Sequence, residues 1–348
     1  MSSWRNTSKA LEEEIDKEHR EVVLANGRYT NPWKTWLDLT FWDGVMWTSR
    51  WRPPPPPAKE EIAQILHPIR SLPTNPSDQM KATWLGHATV LLQCNGLNIL
   101  TDPVWTSQLV DFGNSFLRVT SAPLPLENLP TIHVCLISHS HSDHFDLETA
   151  NLLEYVHRPI WCVPSSFRKR LFKRDPNLKS AVIDDRCVEF SWWQERTIVP
   201  NKLEVVGLPA QHWSNRGLLD MNVTLWNSFA LRFTQCGKTV YFAGDTGYCS
   251  AFQCIGKVYG PFDLALLPIG AYAPRYMLEK QHVDPEQAVH IHRDVRAKKS
   301  LAIHWGTWIL ANEPLLEPPQ KLAEALNKRK LSNDEFISLK QGESLQIK

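Results

Sequence analysis

The run His139-Ser140-His141-Ser142-Asp143-His144 sets three imidazoles and a carboxylate within six residues, and these are ligand types that suit zinc. An extended segment sends residues i and i+2 to the same side, so His139 and His141 can grip one ion. Asp143 and His144, at the turn that follows, then face a second ion. Three further donors each lie where an apolar run ends: His212 after Leu208-Pro209-Ala210-Gln211, Asp245 after Phe242-Ala243-Gly244, and His304 after Ala302-Ile303. Strand ends are where an active site is expected. Having two oxygens, the Asp245 carboxylate can bridge both ions, while His212 and His304 complete one site each. A pair of zinc ions lowers the pKa of a water to about 7, so hydrolysis would need no protein nucleophile. Asp143 and Asp245 are the candidate catalytic carboxylates, and Asp143 is a ligand first. His87 and Asp102, at the ends of early strands, are placed to orient the ligating imidazoles.

Short β-rich runs must hold these residues. Thr83 to Trp84, Thr89 to Gln93 and Asn98 to Thr101 read as consecutive strands, with Asn95-Gly96 as a tight hairpin turn. Ile132 to Ser138 is an apolar strand that runs into His139. Leu147 to Val156 follows with helical apolar spacing at Leu147, Leu152 and Val156. A second block repeats this order: strand Leu203 to Leu208, a hairpin from Phe229 to Phe242 around Cys236-Gly237, strand Leu264 to Pro268, a helix from Pro285 to Val295, and strand Leu301 to His304. Asp284 can cap that helix, Pro285 suits its first turn, and Gln287 completes a capping box. Two β-rich halves with helices outside predict an α/β, four-layer αββα sandwich, its ligands converging along one edge.

Residues 1–78 differ in kind from residues 79–348, which we read as the hydrolase domain. Trp33, Trp36, Trp42, Trp47 and Trp51 crowd a stretch that ends in the proline run Pro53 to Pro57, a stiff spacer. This Trp- and Pro-rich extension is expected either to plug the core, to contact a second copy, or to meet a membrane, where Trp is favoured at the lipid–water boundary. Lys plus Arg number 38 against 37 for Asp plus Glu, which offers no field for a polyanion, so no nucleic-acid partner is expected. The seven cysteines form no Cys-x-x-Cys pair and read as free thiols of a reducing, intracellular compartment. Neither a secretory signal nor a membrane-spanning run is legible.

The His-x-His-x-Asp-His run, the Gly244-Asp245-Thr246-Gly247 turn and the late His304 resemble the metallo-β-lactamase superfamily. Thr83-Trp84-Leu85-Gly86-His87-Ala88-Thr89, Thr101-Asp102-Pro103, Ala210-Gln211-His212-Trp213, His282-Val283-Asp284-Pro285 and Ala302-Ile303-His304-Trp305-Gly306-Thr307 narrow this to a resemblance to the N-acylphosphatidylethanolamine-hydrolysing phospholipase D family. The resemblance implies two zinc ions, one held by His139, His141 and His212, the other by Asp143, His144 and His304, with Asp245 between them. It further implies that Ser142, Gln281 and His282 meet the substrate, a membrane phospholipid cleaved to an N-acylethanolamine and phosphatidic acid. A homodimer, peripheral on a Golgi or endosomal membrane, is the assembly it suggests. Mammalian members carry Tyr at the position of Ser142 and Lys at that of Asn215. The competing readings are a lactonase or thioesterase of the same fold, a non-catalytic lipid-binding module and, more remotely, a ribonuclease.

Overall fold

Asn95 and Gly96 take left-handed φ angles of 49° and 74°, so the chain reverses in two residues, as an Asn-Gly step favours, and Thr89–Cys94 pairs with Leu97–Thr101. The computed structural model describes residues 79–347 apart from 112, 113 and 218, and before them residues 4, 12, 13, 15, 22, 23, 26–36, 52–69 and 72. Seven strands make the first large sheet: β1 Met80–Gly86, β2 Thr89–Cys94, β3 Leu97–Thr101, β4 Val134–Leu136, β5 Ile160–Pro164, β6 Cys187–Phe190 and β14 Ser344–Ile347. Seven make the second: β7 Gln194–Val199, β8 Leu203–Leu208, β9 Ser228–Phe233, β10 Lys238–Phe242, β11 Leu264–Pro268, β12 Ser300–Ile303 and β13 Phe336–Ile337.

The strand orders are β6-β5-β4-β3-β2-β1-β14 and β7-β8-β9-β10-β11-β12-β13. Each sheet is antiparallel at one end and parallel at the other: β3 to β6 and β10 to β13 run parallel. Side chains alternate between faces. Met80, Ala82, Trp84, Val90 and Leu92 share one core with Leu203, Val205, Phe229 and Leu231 of the second sheet. Leu85, Leu91 and Leu100 point the other way, into a core with Phe167 and Phe172 that also takes in Ala150 and Leu153 of helix α1, Leu147–His157. Helices α2 Ala251–Val258, α3 Pro285–Asp294 and α4 Glu317–Lys328 cover the second sheet. The expected αββα sandwich is the observed one.

Several local expectations need correction. Helix α1 forms, but it buries Thr149, Ala150, Leu153 and Glu154, leaving Leu152 39% and Val156 48% exposed. A polar anchor sets its rotation: Arg186 pairs with Glu154 at 2.5 Å, and Ser180 Oγ and Trp161 Nε1 donate to the same carboxylate at 2.6 and 3.0 Å. Asp284 does cap α3, accepting from the Gln287 N–H at 2.8 Å, whereas the Gln287 side chain accepts from Arg275 instead of closing a capping box. Strand β4 is shorter than the expected Ile132 to Ser138. In the extension, Trp33 is buried and stacks on Trp192 at 5.9 Å, and Trp36 packs on the same core, so these two plug the interior. Trp42, Trp47 and Trp51 lie outside the described residues. All seven cysteines are free, although the sulfurs of Cys94 and Cys236 are only 3.4 Å apart.

Burial opposes ionisation of Glu154, but Arg186, Ser180 and Trp161 outweigh it and hold its pKa below the ordinary glutamate value. Such a contribution is fully present above the ordinary value and is lost as pH falls through the lowered one. Glu154→Gln is therefore expected to cost about 2 kcal/mol in urea denaturation near neutral pH, because it removes the charge that Arg186, Ser180 and Trp161 bond, Arg186 keeping only Asp184 and the Pro159 carbonyl. The gap from wild type should close in acid; a gap that persists there would refute the charge-based account.

Candidate metal centre

The His139–His144 loop leaves the end of β4 and turns into α1, so its ligands sit at the edge shared by both sheets. His212 follows β8, Asp245 follows β10 and His304 follows β12. Gly244, at φ 59°, permits the closest approach: a Cβ there would come within 2.6 Å of the Ser138 Cβ. That contact lays Asp245 against the histidine run. His87, Asp102 and His304 also hold left-handed φ angles, of 49°, 30° and 64°. Such strain is costly for these residue types and gathers at functional sites.

Two groups of donors form. In the first, His139 Nε2 lies 2.8 Å from His141 Nδ1, which lies 3.3 Å from His212 Nε2. Imidazoles on one tetrahedral zinc have nitrogens about 3.3 Å apart, so the spacing fits. In the second, Asp143, His144 and His304 gather with His87: Asp143 Oδ2 is 3.5 Å from His144 Nε2 and 3.8 Å from His304 Nε2. Asp245 spans the two, its Oδ2 3.1 Å from His144 Nε2 and 3.9 Å from His212 Nε2, its Oδ1 3.0 Å from His304 Nε2. All seven predicted ligands thus come together. Among the described residues His144 Nε2, His304 Nε2 and Asp245 Oδ1 face the cluster and are buried without a hydrogen-bond partner, as donors meant for a cation would be.

The electrostatics divide in the same way. Burial lowers the pKa of His141 to about 4, of His212 to about 3 and of His139 well below the ordinary range, which keeps neutral lone pairs on that side. Burial also opposes charge on His144 and His304, but Asp245 and Asp143 outweigh it, leaving His144 well above the ordinary value and His304 at about 9. The carboxylate side therefore favours positive charge. Burial likewise opposes ionisation of Asp143 and Asp245, yet the imidazoles, His144 foremost, hold both well below the usual carboxylate range. Neutral nitrogens beside paired carboxylates fit a divalent metal.

Three imidazoles, His139, His144 and His212, are anchored through the ring nitrogen turned away from the cluster. His144 Nδ1 donates to Asp102 Oδ2 at 2.6 Å. His139 Nδ1 donates to Ser138 Oγ at 2.9 Å, and that hydroxyl donates to Asp102 at 2.5 Å. Asp102 thus orients one imidazole from each group, as its position suggested. His87 Nε2 lies 3.0 Å from Asp143 Oδ2, so it acts on a carboxylate rather than on an imidazole. His282 sits 3.7 Å from Asp245, its Nδ1 buried without a partner. Burial depresses its pKa to about 3. Ser142 is half-buried on the loop between two ligands. Gln281 touches the site through its main chain: its carbonyl accepts from His212 Nδ1 at 3.0 Å, while its side chain accepts from Trp213. Ser138 was missed in the sequence, although a hydroxyl directly before the histidine run was a signal. Asn31, which donates to the His212 carbonyl at 2.7 Å, gave none.

The beta-lactamase superfamily domain matches residues 97–305. The chain is 37% identical over 270 residues to an N-acyl-phosphatidylethanolamine-hydrolyzing phospholipase D of Caenorhabditis elegans, covering 75% of this chain and 74% of that one. A mitochondrial enzyme of the same description from Saccharomyces cerevisiae is 36% identical over 245 residues, 69% of this chain and 50% of its own length. Among solved structures, a metallo hydrolase from Ignicoccus hospitalis superposes with a TM-score of 0.56 at 20% identity, covering 78% of this chain and 99% of its own; that likeness speaks for the fold alone.

Asp102→Asn is expected to weaken metal binding roughly 10–100-fold with circular dichroism unchanged, as measured by competition with a chromophoric chelator. An affinity within twofold of wild type would show that His139 and His144 need no such anchor.

Proposed function

The chain belongs to the N-acylphosphatidylethanolamine-hydrolysing phospholipase D family of the metallo-β-lactamase superfamily, and from that premise we propose that it hydrolyses N-acylphosphatidylethanolamine at a membrane surface with two zinc ions. The observation that carries the reading is the convergence of seven donors into two groups joined by Asp245. His139, His141 and His212 would hold one ion, and Asp143, His144 and His304 the other. Bound there, the pair would supply Lewis acidity toward a phosphodiester oxygen and an activated water.

The chain's own groups have separable tasks. Asp245, with 2% of its side chain exposed, is enclosed and would serve both ions, whereas Asp143, with 15% exposed, is the carboxylate more open to substrate. We assign to Asp143 the orientation of a water that passes a proton to the departing ethanolamine oxygen. The phosphorus–oxygen bond to the ethanolamine breaks, water oxygen joins phosphorus, and phosphatidic acid and an N-acylethanolamine leave. His282, beside Asp245 and with an unpartnered Nδ1, is the residue we assign to the phosphate, with Ser142 at the rim. His87 steadies Asp143.

Access from a bilayer has its own support. Leu219 and Met221, on the segment after His212, Leu117, on a hairpin hydrogen-bonded through Val119 to Thr307, and Tyr276, shortly before His282, are large apolar side chains exposed at 86%, 40%, 67% and 52%. Apolar side chains exposed on segments next to the site residues suit lipid contact. No helix among the described residues is long and apolar enough to cross a membrane, so the contact would be peripheral.

The test is product analysis. Purified protein given vesicles containing N-acylphosphatidylethanolamine should release N-acylethanolamine and phosphatidic acid, stop in chelator, and recover with added zinc. Turnover of a soluble lactone or thioester with none of the phospholipid would transfer the site to the ester-cleaving reading. Metal binding without turnover of either would leave only a lipid-binding module.

A further inference from the structure

Residues 28–36 lie outside the span of the superfamily domain match, yet they strap the His212 side of the metal centre. Trp33, stacked on Trp192, anchors the strap. The Tyr29 N–H donates to the Asn222 carbonyl at 2.8 Å, and the Tyr29 hydroxyl lies 3.2 Å from Ser166 Oγ. Arg28 donates to the Leu219 carbonyl at 2.7 Å and to that of Met221. The Thr35 hydroxyl donates to the side-chain carbonyl of Gln211, whose amide in turn donates to the Lys280 carbonyl at 2.8 Å. At the centre, Asn31 is 9% exposed and donates through Nδ2 to the His212 carbonyl at 2.7 Å.

We propose that Asn31 is a positioning residue for the metal centre, fixing the main chain of His212 while the Gln281 carbonyl fixes its ring. A ligand held at both backbone and ring pays its ordering cost before the ion arrives, and groups that orient ligands in this way commonly govern metal affinity. Coupling of this kind is reciprocal. If the strap tightens the grip on the metal, the metal must tighten the strap. The proposal rests on the cluster being a metal centre.

Asn31→Leu keeps the size and removes the donor. Titrated with zinc against a chromophoric chelator, it should bind about tenfold more weakly than wild type. A merely structural contact would instead lower the melting temperatures of the zinc-loaded and chelated proteins equally and leave zinc affinity alone. Hydrogen exchange on the wild-type protein provides the reciprocal reading without any substitution. Peptides covering residues 26–36, which include the bonded amides of Tyr29 and Trp36, should exchange several-fold more slowly with zinc than with chelator. Equal affinity of variant and wild type, or equal exchange in the two states, overturns the role of Asn31. Wild-type protein that takes up no zinc at all overturns the metal centre and this proposal together.

Discussion

Asp102, Asp143 and Asp245 are largely enclosed within 4 Å of five imidazoles, those of His87, His144, His212, His282 and His304, and much else about the molecule follows from having to keep them there. Taking a carboxylate out of water costs several kcal/mol unless positive charge or good donors meet it. Asp102 is satisfied within the protein, by Ser138 and His144. Asp143 and Asp245 are met by imidazoles of the cluster, and the unpartnered nitrogens beside them belong to the same two groups. A cluster that leaves both its anions and its lone pairs turned inward is arranged for cations. The two sheets supply rigid ends from which such a cluster can be held in place.

This dependence explains where strain and tightness accumulate. His87 and His304 occupy left-handed backbone positions, and the His304 N–H donates to the His87 carbonyl at 2.9 Å, so each strained residue braces the other. Thr307 accepts from the His87 N–H and from Gln341. Gly270 passes so close to the His304 carbonyl that a Cβ would come within 2.1 Å of it. Close packing of backbone against backbone fixes ligand direction where long side chains would not.

The convergence of the candidate ligands was legible in the sequence because metal chemistry restricts residue type and the strand period restricts spacing. His139 and His141 share a side as i and i+2, and His212, Asp245 and His304 each follow an apolar run that did become a strand. The layered architecture was legible for the same reason. What escaped was set by contacts distant in sequence. Helix α1 turned away from its apolar stripe because Glu154 found Arg186, and Gln287 left its expected cap for Arg275. The part Gln281 plays through its carbonyl carries no side-chain signature, and Asn31 reaches His212 across 181 positions. The substrate-facing roles proposed for Ser142 and His282 rest on family resemblance rather than on any pattern in the residues themselves.

The donors are drawn from both sheets, and β14, formed by residues 344–347, pairs along β1 in the sheet that carries the histidine run. A ribosome that has extruded only the first half of the chain has released His139, His141, Asp143 and His144 but none of the three donors that close the cage. Stray ions can be gripped weakly at that stage and surrendered again. Closing both donor groups therefore waits for the chain to be made through His304, more than 160 residues after the histidine run begins.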